Sequence, residues 1–135
     1  MKNLFKIIIL CLLFCYSSYA QQLVENTKDM SLLKENEFLF VNKPLKDLLK
    51  EIRPEIKTVF VIDRYFCFNF RTLDEFKKDE GSIDDSVMLF VYVKDFIEWK
   101  WENRPKNTET VWSKEDVEKY GGLQVARIEI INGKD

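Results

Sequence analysis

The stretch that most constrains this chain is residues 86–101, SVMLFVYVKDFIEWKW, the longest apolar and aromatic run outside the extreme N-terminus. Val87, Leu89, Val91 and Val93 alternate there with Met88, Phe90 and Tyr92. A period of two marks a strand, and apolar residues on both sides of it predict a central strand covered on both faces. Strands normally run for roughly 3–10 residues, so this run must break, and Lys94-Asp95 is the expected bend or bulge.

Shorter pieces suited to pair with this strand surround it. Residues 37–41, EFLFV, lie between Asn36 and Asn42 and predict a first strand. Leu45, Leu48, Leu49 and Ile52 then fall at i, i+3, i+4 and i+7, one apolar stripe of a helix. Pro44 belongs in its first turn, and Arg53-Pro54 closes it. Residues 56–62 and 65–71 read as two strands, the second with Phe66, Phe68 and Phe70 on its inner face and Tyr65, Cys67, Asn69 and Arg71 on a wet one. Asp63-Arg64 between them is a poor hairpin turn, because neither residue favours positive φ, so the pair is either a turn or a bulge in one long strand.

Thr72 and Glu75 form a capping box for a short helix that Gly81 ends. Ser113 and Asp116 begin another, with Trp112 stapled onto Val117 and Gly121-Gly122 as terminator. Residues 123–131 predict a last strand with Ala126, Ile128 and Ile130 inward. None of the connections is long enough for the crossovers that a parallel sheet needs. The fold class is therefore α+β: a mainly antiparallel sheet of four to five strands with two or three short helices packed on it. A small open β-barrel with helical decorations is the alternative.

Residues 1–20 read as a signal peptide rather than part of this fold. Lys2 and Lys6 precede nine apolar residues, 7–15, and Ser18 and Ala20 supply the small-x-small pattern for cleavage. Nine apolar residues are too few to span a bilayer, which takes roughly 20. Leu10 and Phe14 precede Cys11 and Cys15 where lipidation would want small residues, so a lipoprotein is disfavoured. Residues 21–35 are polar and aperiodic, a mobile N-terminal segment ahead of a single domain at 36–135. The exported chain would carry no membrane span and reside in the periplasm or the medium.

Loss of the leader's two lysines takes the formal charge from −2 to −4. A mildly acidic chain lacks the concentrated basic face that nucleic acid requires. The chain has no histidine, which removes the commonest general base and most zinc sites. Cys67, left alone after cleavage, forms no internal disulfide or thiolate cluster and reads as strand filler before nucleophile. Four glycines cannot assemble a phosphate-cradling loop. Asp79, Glu80, Asp84 and Asp85 cluster near Gly81, but not in the order of a calcium loop, and read as a solvated turn. Lys43, Lys46, Lys50 and Arg53 make a basic stripe that Asp47 and Glu51 dilute. No metal, cofactor or catalytic constellation is expected.

The segments PLKDLLKEIRPEIK (44–57) and ENRPKNTETVWSKEDVEKYGG (102–122) resemble a pattern of small secreted bacterial proteins of unknown function. In those a P-L-x-x-L-L-x-x-I-x-P-E-I-K stretch comes early and a W-[ST]-K-E-D-x-x-K-Y-G stretch late. The resemblance covers about residues 38–131 and implies export, but assigns no role to any residue.

The residues that point to function are Trp99 and Trp101, two positions apart and so on one face of an extended chain. Packed inward they extend the core under Trp112. Turned outward by a bulge at Lys94-Asp95 they form a platform, flanked by Glu98, Lys100 and Glu102, for a sugar ring or a protein anchor. The expected function is a non-enzymatic binding or structural domain engaging a protein or glycan of the cell envelope. The alternatives are a small carboxylate-dependent glycan hydrolase and an inhibitor of a secreted enzyme that acts through the loop 103–110.

Overall fold

The computed structural model describes residues 2–18 and 21–133, with side chains described outside 11–18. The N-terminal stretch forms helix α1 (Lys2–Ser18), whose described side chains, at positions 2–10, are all exposed. Among the described residues no helix is long and apolar enough to cross a membrane. Ala20, at the expected cleavage point, lies outside the described residues.

The remainder is one open, four-stranded antiparallel sheet in the order β1 (Thr58–Ile62), β2 (Tyr65–Asn69), β3 (Met88–Val93) and β4 (Val125–Ile131). With helices packed on it the fold is α+β. The sheet does not close, so the barrel alternative falls. Four short helices accompany it: α2 (Ser31–Glu35), α3 (Leu45–Leu49), α4 (Leu73–Lys78) and α5 (Lys114–Tyr120).

The run at 86–101 does supply the central strand. Val87, Leu89, Val91 and Val93 are buried, and the strand ends at Val93 ahead of a bend at Lys94-Asp95. Its inner face meets Val59, Phe66, Phe68, Val125 and Ile128 of the other strands and Leu45, Leu48 and Tyr120 of the helices. The opposite face, expected to be covered as well, is not: Phe90 and Tyr92 remain partly exposed. Ala126 is not inward either. The register slips between Tyr92 and Val93, so that Arg127 faces Tyr92, Val125 faces Val93, and exposed Ala126 is the extra residue of a bulge.

Asp63-Arg64 is a reversal, not a bulge. Ile62 pairs with Tyr65, and Asp63 takes φ 49°. The strained turn is held from outside: Ile97 N–H donates to the Asp63 carbonyl (2.8 Å) and Val93 N–H to the Arg64 carbonyl (2.8 Å). Tertiary hydrogen bonds thus override the local preference against this turn.

Two segments upstream depart from expectation. Residues 37–41 are not a strand: Glu37–Leu39 is a 3₁₀ turn with Phe38 and Leu39 exposed and only Phe40 in the core. Glu37 is used instead to seal the edge of β4, its carboxylate accepting the Ile128 N–H at 2.8 Å. Burial opposes ionisation of that carboxyl, but Lys34, the Ile128 N–H and the Arg127 charge outweigh it and hold its pKa below the ordinary value. The segment 21–35, expected to be mobile, is docked. Val24 bridges to Ile52, its N–H reaching the Glu51 carbonyl at 2.8 Å, and Val24, Met30 and Leu33 are fully buried. Each such side chain contributes about 1.5–3 kcal/mol, an anchor that needs no periodic pattern.

Candidate binding site

Past the bend, residues 96–100 form no regular element, and Ile97 is buried with its N–H bonded to the hairpin turn at Asp63. Trp99 lies 5.2 Å from Tyr120 and edge-on to Phe66 at 6.4 Å (ring centroids), which places it on the core. Trp101 opens the 3₁₀ turn Trp101–Asn103, remains 37% exposed and meets Trp99 at 5.4 Å, with the ring planes at 72°. The pair is therefore divided, Trp99 inward and Trp101 outward. Trp112 packs on Phe68 (5.0 Å) and Phe66 (5.7 Å) rather than on either of them.

Helix α5 is aimed by its first turn. The Ser113 hydroxyl accepts from Asp116 N–H, while the Asp116 carboxylate accepts from Ser113 N–H at 2.9 Å, a complete capping box. The same carboxylate takes a bidentate pair from Arg104, at 2.8 and 2.9 Å. Arg104 also donates to the carbonyls of Glu109 and Val111 and stacks its guanidinium 4.0 Å above the Trp99 ring. Burial raises the Asp116 pKa, but the bonds from Arg104 and Ser113 overcome it and the carboxyl sits below the usual range. The bond to Asp116 in turn raises Arg104.

Between this brace and the 96–103 segment lies a cleft of about 330 Å³, lined by Glu98, Lys100, Asn103, Arg104, Pro105, Glu115, Asp116, Lys119 and Tyr120. The Tyr120 hydroxyl donates to the Glu98 carbonyl at 3.2 Å and ties its two walls together. Sequence reasoning singled out the tryptophans but missed Arg104 and the second task of Asp116. An arginine in a polar connection carries no periodic signal, and the capping box already explained the aspartate.

The open face of the sheet is a second surface. Register places Phe60, Cys67, Phe90 and Glu129 in one cross-strand row and Ile62, Tyr65, Tyr92 and Arg127 in the next. Tyr65 touches Tyr92 (5.1 Å) and Phe90 (5.8 Å), and Arg127 covers Tyr92 at 4.0 Å. The face is not uniformly wet: Cys67, Asn69 and Arg71 are buried. Burial pushes the Cys67 thiol up, against a weaker contribution from Asn69, which leaves it less reactive than a free thiol.

In the acidic turn Asp79 pairs with Arg71, Asp84 with Lys28 and Asp85 with the Thr27 hydroxyl. Among the described residues no group of three or more His, Cys, Asp or Glu is placed to hold a metal ion. In the basic stripe Arg53 pairs with Glu25 at 2.8 Å. Searches for related proteins find no matching family model, no matching curated protein and no matching solved structure.

Proposed function

We propose that the protein is an exported, non-enzymatic binding domain whose recognition site is the cleft beside Trp101. The observation that carries this reading is the divided tryptophan pair. A partly exposed indole backed by a packed one is a large, rigid contact group that loses little entropy on binding. Its backing is built on Arg104 and Asp116, so the platform is preorganised. Export rests on the leader: a charged start, nine apolar residues and a small-x-small end. Hydrolysis by carboxylates is less well supported. Asp116 lines the cleft, but both its oxygens are engaged and its low pKa keeps it ionised, unsuited to a general acid.

The test has two parts. The intact mass of the native protein should match a chain beginning at Gln21, and a lipid-modified or unprocessed chain would refute this form of export. Trp101→Ala should melt with the parent yet lose the partner that the parent captures from envelope extracts. Retained capture would rule out the cleft.

A further inference from the structure

Resting on the cleft as a binding site, we infer that its ligand is a neutral oligosaccharide. The charge pattern of the lining carries the argument. It presents three cations, Lys100, Arg104 and Lys119, against three anions, Glu98, Glu115 and Asp116. Two of these pairs are already made, Arg104 with Asp116 at 2.8 Å and Lys100 with Glu98 at 3.9 Å. A balanced lining offers no net field to a phosphate, a polyuronate or a polycation.

What it does offer, beyond the engaged Arg104 and Asp116, is a set of charged and amide donors and acceptors on Glu98, Lys100, Asn103, Glu115 and Lys119 around a small hollow. Sugar hydroxyls both donate and accept, so they suit carboxylate and ammonium groups together, and such charge-assisted bonds are the strong ones. The C–H face of a sugar ring is apolar and stacks on an aromatic face. Trp101, partly exposed and next in the chain to the lining residue Lys100, is the indole available for that stacking. A peptide anchor would need an apolar, desolvated pocket, whereas here Pro105 and Tyr120 are the only lining residues that are neither charged nor amide. At about 330 Å³ the cleft is at the small end of ligand sites, suited to one or two sugar rings of a longer chain.

The test is titration of the full chain, followed by tryptophan fluorescence. Cellotetraose, maltotetraose and the chitin tetrasaccharide serve as neutral probes, and tetragalacturonate and a neutral tetrapeptide as contrasts. At least one neutral probe should saturate with a dissociation constant below about 1 mM and bind about tenfold more weakly to Trp101→Ala. Trp101→Phe, which keeps an aromatic face, should retain most of the affinity, and Asn103→Ala gives a second route should Trp101→Ala fold poorly. If the contrast probes bind as well as the neutral ones, with the same dependence on Trp101, the oligosaccharide is wrong and the cleft stands. Binding that neither Trp101→Ala nor Asn103→Ala weakens places the ligand elsewhere and overturns the inference. If no probe alters the fluorescence up to about 10 mM, the oligosaccharide is wrong, and the capture experiment alone then decides the cleft.

Discussion

Two arginines brace loops in this fold, and they do it differently. Arg104 spends its guanidinium on a buried carboxylate and two backbone carbonyls, and the Arg104 and Asp116 side chains are only 13% and 8% exposed. Arg71 is buried still deeper, at 6%, but its acidic partner Asp79 is 96% exposed and stands 3.5 Å away. One firm bond joins it to the Ser82 carbonyl at 2.8 Å, and its Nε has no partner. Burial of a cation is therefore no measure of what the cation holds. A carboxylate buried with its arginine makes the pair indispensable, whereas a carboxylate left in water leaves the arginine replaceable.

The same substitution at both positions breaks the comparison most directly. Arg104→Met leaves Asp116 buried without its counter-charge, which should cost about 3–5 kcal/mol and lower the melting temperature by roughly 10–20 °C. Calorimetry checks it, and a loss under about 1 kcal/mol would show the pair to be ornamental.

Acid should separate the two braces next. Asp116 has its pKa lowered in the folded state, so its contribution is complete above the ordinary carboxylate value of about 4 and is lost as pH falls through the depressed one. The melting temperature of the parent should fall below about pH 4 more steeply than that of Asp116→Asn. Arg71→Met should keep the parent's acid slope, and Arg104→Met should flatten it. Equal slopes in all four proteins would show that the low pKa of Asp116 does not support the fold.

The smallest effect belongs to Arg71→Met at neutral pH. It removes one good hydrogen bond together with an unsatisfied buried N–H, so the change should stay within about 1 kcal/mol. Denaturant titration measures it, and a cost approaching that of Arg104→Met would mean that Asp79 binds more tightly than its exposure implies.

These braces also mark where sequence reading stops. Strand β3 was legible because its alternation is long, and α5 because Ser113 and Asp116 announce it. The hairpin at Asp63 was not, since its stability comes from the N–H groups of Ile97 and Val93, some thirty residues onward. Phe38 and Leu39 read as strand because a short apolar run has no way to reveal that Glu37 beside it would be drawn to Ile128. Val24, Met30 and Leu33 enter the core one at a time, the first two separated by five polar residues, so no period announced them. At the site, the two tryptophans were legible as a pair. Their division, one on the core and one at the rim, depends on Tyr120 and Arg104, which the chain brings in from elsewhere.

The seal along β4 bears on how copies of this protein meet. Asn42 and Lys43 pair with the backbone of Val125, and the Glu37 carboxylate occupies the N–H of Ile128. An unguarded edge is a template onto which a strand from another molecule can add, the first step towards a fibril. Here that lateral growth is blocked on one side of the sheet by groups the chain carries itself, one of them a charge that an incoming strand would have to displace.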